Sequence, residues 1–146
     1  MAVRIAAMTL RVIFLVNLVL GMLFWTHTLV GQSAAGWKLL HMALGILFVA
    51  ALWLLGALQA MRGGPIGLMV GTFVLGLLLA IIGFVQDETA WLQIIHVLLA
   101  LGAIGLGEMS GARYRRLSAG AAARGLRWVS LRMQAMVNRR CRDRSK

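Results

Sequence analysis

The stretches WKLLHMALG (residues 37–45) and WLQIIHVLLALG (residues 91–102) decide how this chain folds. Each sets a tryptophan four or five residues ahead of a histidine, then runs on through apolar and small residues for several turns. Apolar runs of this kind continue far enough to be membrane helices, because about 20 apolar residues cross the hydrocarbon layer. The rest of the chain has the same texture. Of its 146 residues, 61% are hydrophobic and only 13% are charged, and the mean hydropathy is +0.87. Soluble domains sit nearer half apolar and a quarter charged. The sequence therefore reads as an integral membrane protein.

Working outward from the two histidine segments gives four spans. The first apolar run covers about 8–30, interrupted by Arg11 and Asn17, and the second about 36–61. An RGGP turn follows, in which Pro65 opens the next helix at its first position, and the third run covers 66–85. The polar QDET carries Thr89 as a candidate N-cap, and the fourth run covers 90 to about 108. Loops this short make successive helices antiparallel. The expected fold is all-α: residues 1–111 as an integral membrane, up-down-up-down four-helix bundle, and residues 112–146 as a basic tail.

Basic residues set the expected orientation. Arg4, Arg11, Arg62 and the 11 Lys/Arg of residues 112–146 share one side, whereas Lys38 alone falls on the other side with Asp87 and Glu88. Positive residues are retained in the cytoplasm, so both termini are expected inside, in the inner membrane of a bacterium. SAAG at 33–36 is a faint processing signal, but the apolar run ahead of it is longer than a signal-peptide core. Within the tail, Leu126, Val129, Met133, Met136 and Val137 recur at helical spacing beside Trp128, with arginines opposite. That pattern fits an amphipathic helix on the anionic inner leaflet better than a nucleic-acid binder. Cys141, the only cysteine, excludes an intrachain disulfide.

His41 lies about five residues into the second span and His96 about six into the fourth, roughly 7.5 and 9 Å below the outer ends at 1.5 Å per residue. Both helices run from outside to inside, and in a sequentially connected bundle they occupy diagonal corners. Two imidazoles at equal depth on diagonal helices can hold a planar macrocycle between them. One haem b is the expected occupant, because imidazole is a standard axial ligand and the apolar bundle interior suits a porphyrin. Gly45 and Ala100 stand four residues after the histidines on the same faces and leave room for a flat ring. Lys38, Trp37, Trp91, Gln93 and Gln32 are outer-edge donors for the propionates. Polar helix packing, or a metal other than haem iron, remains open for the pair. His27, between Thr26 and Thr28, reads first as an interfacial polar residue and second as a third metal ligand.

Other features describe packing. Gly67 with Gly71, and Gly107 with Gly111, form small-xxx-small steps expected to face neighbouring helices. Trp25, Trp37 and Trp91 form an outer aromatic belt. Asn17 is expected to make a cross-helix hydrogen bond, and Glu108 to pair with Arg113 or Arg115. Phosphate loops, zinc-protease motifs, nucleophile elbows and acidic membrane clusters are all missing from the sequence.

WKLLHMALG and IIHVLLALG, each followed by small and apolar residues, resemble small four-helix membrane b-type cytochromes. Their layout is similar to one four-helix half of haem A synthase, over about residues 36–110. The resemblance implies that His41 and His96 are haem ligands. The glutamate of that synthase's E-x-x-H-R motif is missing: Trp37, Lys38, Leu39 and Leu40 precede His41, and Met42 stands where arginine would. Haem ligation is carried over; the synthase activity is not. The expected role is electron transfer with a quinone or partner subunit. Two alternatives are a cofactor-free structural or accessory subunit of a larger membrane complex, and a protein handling metal or haem.

Overall fold

A computed structural model describes residues 2–26, 32–85 and 90–144 of the chain. Four helices account for nearly all of them: α1 (Ala2–Trp25), α2 (Gln32–Met61), α3 (Ile66–Val85) and α4 (Ala90–Arg144). Each is long and apolar enough to cross a membrane. Helix is the form such segments must take, since the hydrocarbon layer offers no partner to an open peptide group. Large apolar side chains stay exposed on the outer faces of all four, among them Ile5, Val12, Ile46, Leu54, Leu77, Phe84, Leu98 and Leu101. A surface of that kind faces lipid rather than water.

α3 has the expected bounds, because both of its ends are marked by strong chain breakers. At the α2–α3 corner the Gly63 N–H donates to the Ala60 carbonyl (2.9 Å) and the Gly64 N–H to the Gln59 carbonyl (2.9 Å). This is the six-to-one, five-to-two closure of a Schellman cap, with Gly63 at φ 79°. The fully buried Gln59 side chain then donates from Nε2 to the Pro65 carbonyl (3.1 Å), tying the cap to the start of α3. Pro65 directly precedes α3, and its carbonyl accepts from the Leu68 N–H (3.1 Å). α1 and α2 both begin earlier than hydropathy indicates, at Ala2 and Gln32. The largest departure is in α4. Its apolar segment gives out near Glu108, but helical backbone continues without interruption to Arg144, 55 residues in all and roughly 80 Å at 1.5 Å per residue. Ala, Arg, Leu and Met are good helix formers, so the helix outlasts the hydrophobicity that marked its first half. Thr89, the candidate cap, lies outside the described residues.

Contacts fix the helix directions. Between α1 and α2, Gly21 faces His41, Asn17 faces Gly45 and Phe14 faces Phe48, so numbers rise on one helix as they fall on the other. The same inverse order relates α2 to α3 (Trp53 to Phe73, Gly56 to Thr72), α3 to α4 (Gly83 to His96, Gly71 to Leu106) and α1 to α4 (Leu10 to Gly107, Ala7 to Gly111). α2 and α4 run parallel instead: His41 faces His96, Leu52 faces Gly107 and Arg62 lies over the Tyr114 ring. α2 and α4 touch directly, whereas α1 and α3 do not meet. The cross-section is thus a rhombus with α2 and α4 on its short diagonal. Its core is Leu10, Ile13, Phe48, Val49, Leu52, Leu55, Leu79 and Ala103.

Small residues set the helix spacing, but not at every expected position. Gly107 packs on Leu10 and Leu52, and Gly111 on Ala7, so that step faces α1 and α2. Gly71 packs on Leu106, whereas Gly67 has nothing within 4 Å of where a Cβ would stand and is exposed. Gly76 under Trp53 and Gly56 against Thr72 are the tightest approaches between α2 and α3, and Trp53 stacks on Phe73 at 5.1 Å and 6°. At the other end of the bundle, Arg11 grips Glu108 with both arms, Nε to Oε1 and Nη2 to Oε2 at 2.6 Å each. Glu108 therefore pairs across to α1, not along its own helix with Arg113 or Arg115. The fork geometry of guanidinium and carboxylate favours this bidentate form.

This packing can be tested at its tightest glycine and at its ion pair. In equilibrium unfolding in mixed micelles, Gly56→Ala should be less stable than Gly67→Ala by about 1–3 kcal/mol, since both gain helix propensity but only the first collides with a β-branched side chain. Arg11→Glu and Glu108→Arg should each lower the unfolding midpoint, and the double reversal should recover most of the loss.

Candidate functional site

Asn17 anchors the site to the backbone. With its amide oxygen turned toward the donor, it accepts from the Gly45 N–H (3.0 Å) while Nδ2 donates to the His41 carbonyl (3.2 Å). The two peptide groups it bridges are one helical turn apart in α2, so the amide joins a rung of that helix without breaking it. This is the cross-helix bond expected of Asn17, and its partner is the peptide group of the histidine itself. Gly45 thereby faces α1, where a Cβ would lie 3.8 Å from the Asn17 amide oxygen so turned.

The His41 and His96 rings meet with centroids 6.5 Å apart and planes inclined at 47°. α2 begins four residues earlier than expected, so the histidines differ in distance from their helix ends yet share one level. Each imidazole is flanked by a glycine of the outer helix in its own hairpin. A Cβ on Gly21 would stand 3.6 Å from His41 Cε1, and one on Gly83 would stand 3.0 Å from His96 Cε1. Phe24 meets the His41 ring edge-on at 6.0 Å. All four helices thus contribute to one layer: Gly21 and Phe24 from α1, His41 from α2, Gly83 from α3 and His96 from α4. Both histidines are half-buried, and Nδ1 of His96 is buried without a hydrogen-bond partner among the described residues.

Two facing imidazoles are a donor pair that could hold the metal of a planar macrocycle. Among the described residues no three His, Cys, Asp or Glu side chains gather into a metal-ligand cluster. Two imidazoles alone leave a bare ion short of ligands, whereas a porphyrin brings four nitrogens of its own. A flat ring between α2 and α4 would have its edges toward α1 and α3, where Gly21 and Gly83 stand.

The remaining expected residues fall around this layer. Trp37 and Lys38 are exposed on α2, one turn above His41; Gln93 is half-buried one turn above His96, and Trp91 is exposed beyond it. Ala100 packs against the core. Gln32 begins α2, and His27 lies outside the described residues. Sequence reasoning missed Gly21, Gly83 and Phe24. The available signal was position, since Gly21 lies one turn before Trp25 and Gly83 two residues before the end of α3, both at the tryptophan-bearing end. No protein-family model, curated protein or solved structure matches the chain.

Proposed function

We propose that the chain is a membrane b-type haem protein, with His41 and His96 as axial ligands and electron transfer to or from a quinone or partner subunit as its role. The facing imidazole pair with a glycine at each flank carries this reading. A haem held there supplies a reversible one-electron iron couple. The chain's own residues do the rest. His41 and His96 each offer one ring nitrogen from opposite helices, and Asn17 holds the α2 backbone at His41 in register with α1. Gly21 and Gly83 let α1 and α3 pack close beside the two imidazoles. Phe14, Phe48, Val49 and Leu52 close the layer beneath against water. Lys38, a turn above His41, is placed to pair with a propionate, and Trp37 and Gln93 offer N–H donors at the same edge. Among the described residues the histidines lie at this end of the bundle, which is where electrons would enter and leave.

The charge distribution supports an inner-membrane location with both termini in the cytoplasm, which puts the histidine layer near the outer face. The helical extension of α4, continuous with the span, then leaves the bundle on the cytoplasmic side, where its arginines are drawn to the anionic inner leaflet. Its residues 121–136 are exposed throughout, and Arg132 stacks over Trp128 at 3.9 Å. A membrane-impermeant maleimide should label Cys141 in inverted vesicles and not in intact spheroplasts. Labelling in intact cells would reverse the orientation.

The haem test is an absorption spectrum of the detergent-purified chain, air-oxidised and then dithionite-reduced. A sharp reduced b-type band is expected in the wild type and in His27→Ala. It should be lost in His41→Ala and His96→Ala, and reduced in Gly83→Leu, whose side chain would press on the His96 imidazole. A folded but colourless protein made with ample haem overturns the proposal and returns the pair to helix packing in a cofactor-free subunit. Loss of the band in His27→Ala as well would favour a three-histidine site for handling metal or haem.

A further inference from the structure

At the end opposite the histidine layer, α1 and α4 enclose a groove of about 270 Å³ lined by Ala7, Met8, Arg11 and Arg115. Its floor is small, since Ala7 and Gly111 are buried against one another. Its walls are two guanidiniums of different standing. Arg11 is fixed by Glu108 through Nε and Nη2, which leaves Nη1 without a partner among the described residues. Arg115 has no ion pair among the described residues, and its Nη1 lies 3.6 Å from where a Gly111 Cβ would stand. Glu108 cancels one of the two positive charges, and one remains.

A second groove of about 280 Å³ follows on the same helix, lined by Leu15, Val16, Val19 and Leu20. At 100° per residue, Met8, Arg11, Leu15 and Val19 lie on one stripe of α1, and Val16 borders it. The apolar groove thus begins one turn past Arg11 and continues along the helix for another turn. A cationic recess with an open apolar groove beyond it on the same helix matches a molecule with a phosphate at one end and a hydrocarbon chain at the other.

We propose that this surface binds one anionic phospholipid, its phosphate held by Arg115 and the free arm of Arg11 and an acyl chain laid along Leu15, Val16 and Val19. The site differs from the diffuse attraction of the basic α4 extension in being a single position on the bundle, and it is independent of the haem proposal. A planar guanidinium held in place by a carboxylate is preorganised for a phosphate oxygen and loses little freedom on binding. Glu108 holds the guanidinium for the lipid and locks α1 to α4 at the same time.

Native mass spectrometry of the full-length protein, titrated with dioleoyl phosphatidylglycerol or dioleoyl phosphatidylcholine, tests the site. One tightly held phosphatidylglycerol is expected, with phosphatidylcholine weaker. Arg115→Gln should weaken phosphatidylglycerol by about fivefold or more, whereas Arg132→Gln, the same charge change on the exposed extension, should stay near the wild type. Val19→Trp, which fills the apolar groove and leaves both arginines in place, should weaken it too, and circular dichroism checks that each variant keeps its helix content. Equal binding by Arg115→Gln and Arg132→Gln, or equal affinity for the two lipids, overturns the proposal. Displacement by millimolar inorganic phosphate, with Val19→Trp unaffected, overturns it as well and leaves only an anion site.

Discussion

The direct contact of α2 with α4 is the constraint on which everything else depends. In lipid the hydrophobic effect does not draw helices together, because hydrocarbon solvates an apolar side chain as well as another helix does. Close packing and a few polar ties must do it. Along this seam the ties are few and well spaced. The histidine pair marks one end, Leu52 against Gly107 the middle, and Arg62 over the Tyr114 ring at 5.3 Å the other end. With α2 and α4 on the short diagonal, α1 and α3 are left as flanks that never meet. Imidazoles on the central pair then face one another because of the topology, and the flanks determine how much room surrounds them.

The parts of this arrangement legible in the sequence are those carried by strong local chemistry. Gly63, Gly64 and Pro65 mark the α2–α3 corner, although the tie from the Gln59 side chain to the Pro65 carbonyl depends on a burial that the sequence does not announce. The equal level of His41 and His96 follows from connectivity, and the earlier start of α2 leaves it intact. What escapes is whatever depends on helix rotation. Arg113 and Arg115 are close to Glu108 along the chain, but Glu108 turns toward α1, where Arg11 waits. Gly67 shares a motif with Gly71 and faces outward, whereas Gly21 and Gly83 belong to no motif and face the site. The long continuation of α4 escapes for another reason: hydropathy reports where a membrane ends, and helix propensity reports where a helix ends.

Contacts across the bundle have an approximate two-fold relation that maps the α1–α2 hairpin onto α3–α4. Gly21 beside His41 corresponds to Gly83 beside His96, and the α2–α3 contact corresponds to the contact of α4 with α1. The axis passes between the two imidazoles. A site on such an axis offers a symmetric ligand two equivalent donors, which suits a planar group approached from both faces. It also confines the chemistry to one layer, because His41 and His96 are the only histidines among the described residues.

The symmetry fails where it matters for the donors. Asn17 bonds the backbone at His41, and Phe24 meets that ring edge-on, whereas Nδ1 of His96 lacks a partner among the described residues. A ring nitrogen that donates to an acceptor is fixed in tautomer and orientation, and one that does not is free of that constraint. His96 is held by the walls around it, chiefly Gly83 and α2, while the peptide carrying His41 is tied to α1 by hydrogen bonds. The two imidazoles are therefore held differently despite their equivalent places. Any ligand bound between them meets a side pinned to α1 and a side that depends on packing, so loosening of α3 would be felt first at His96.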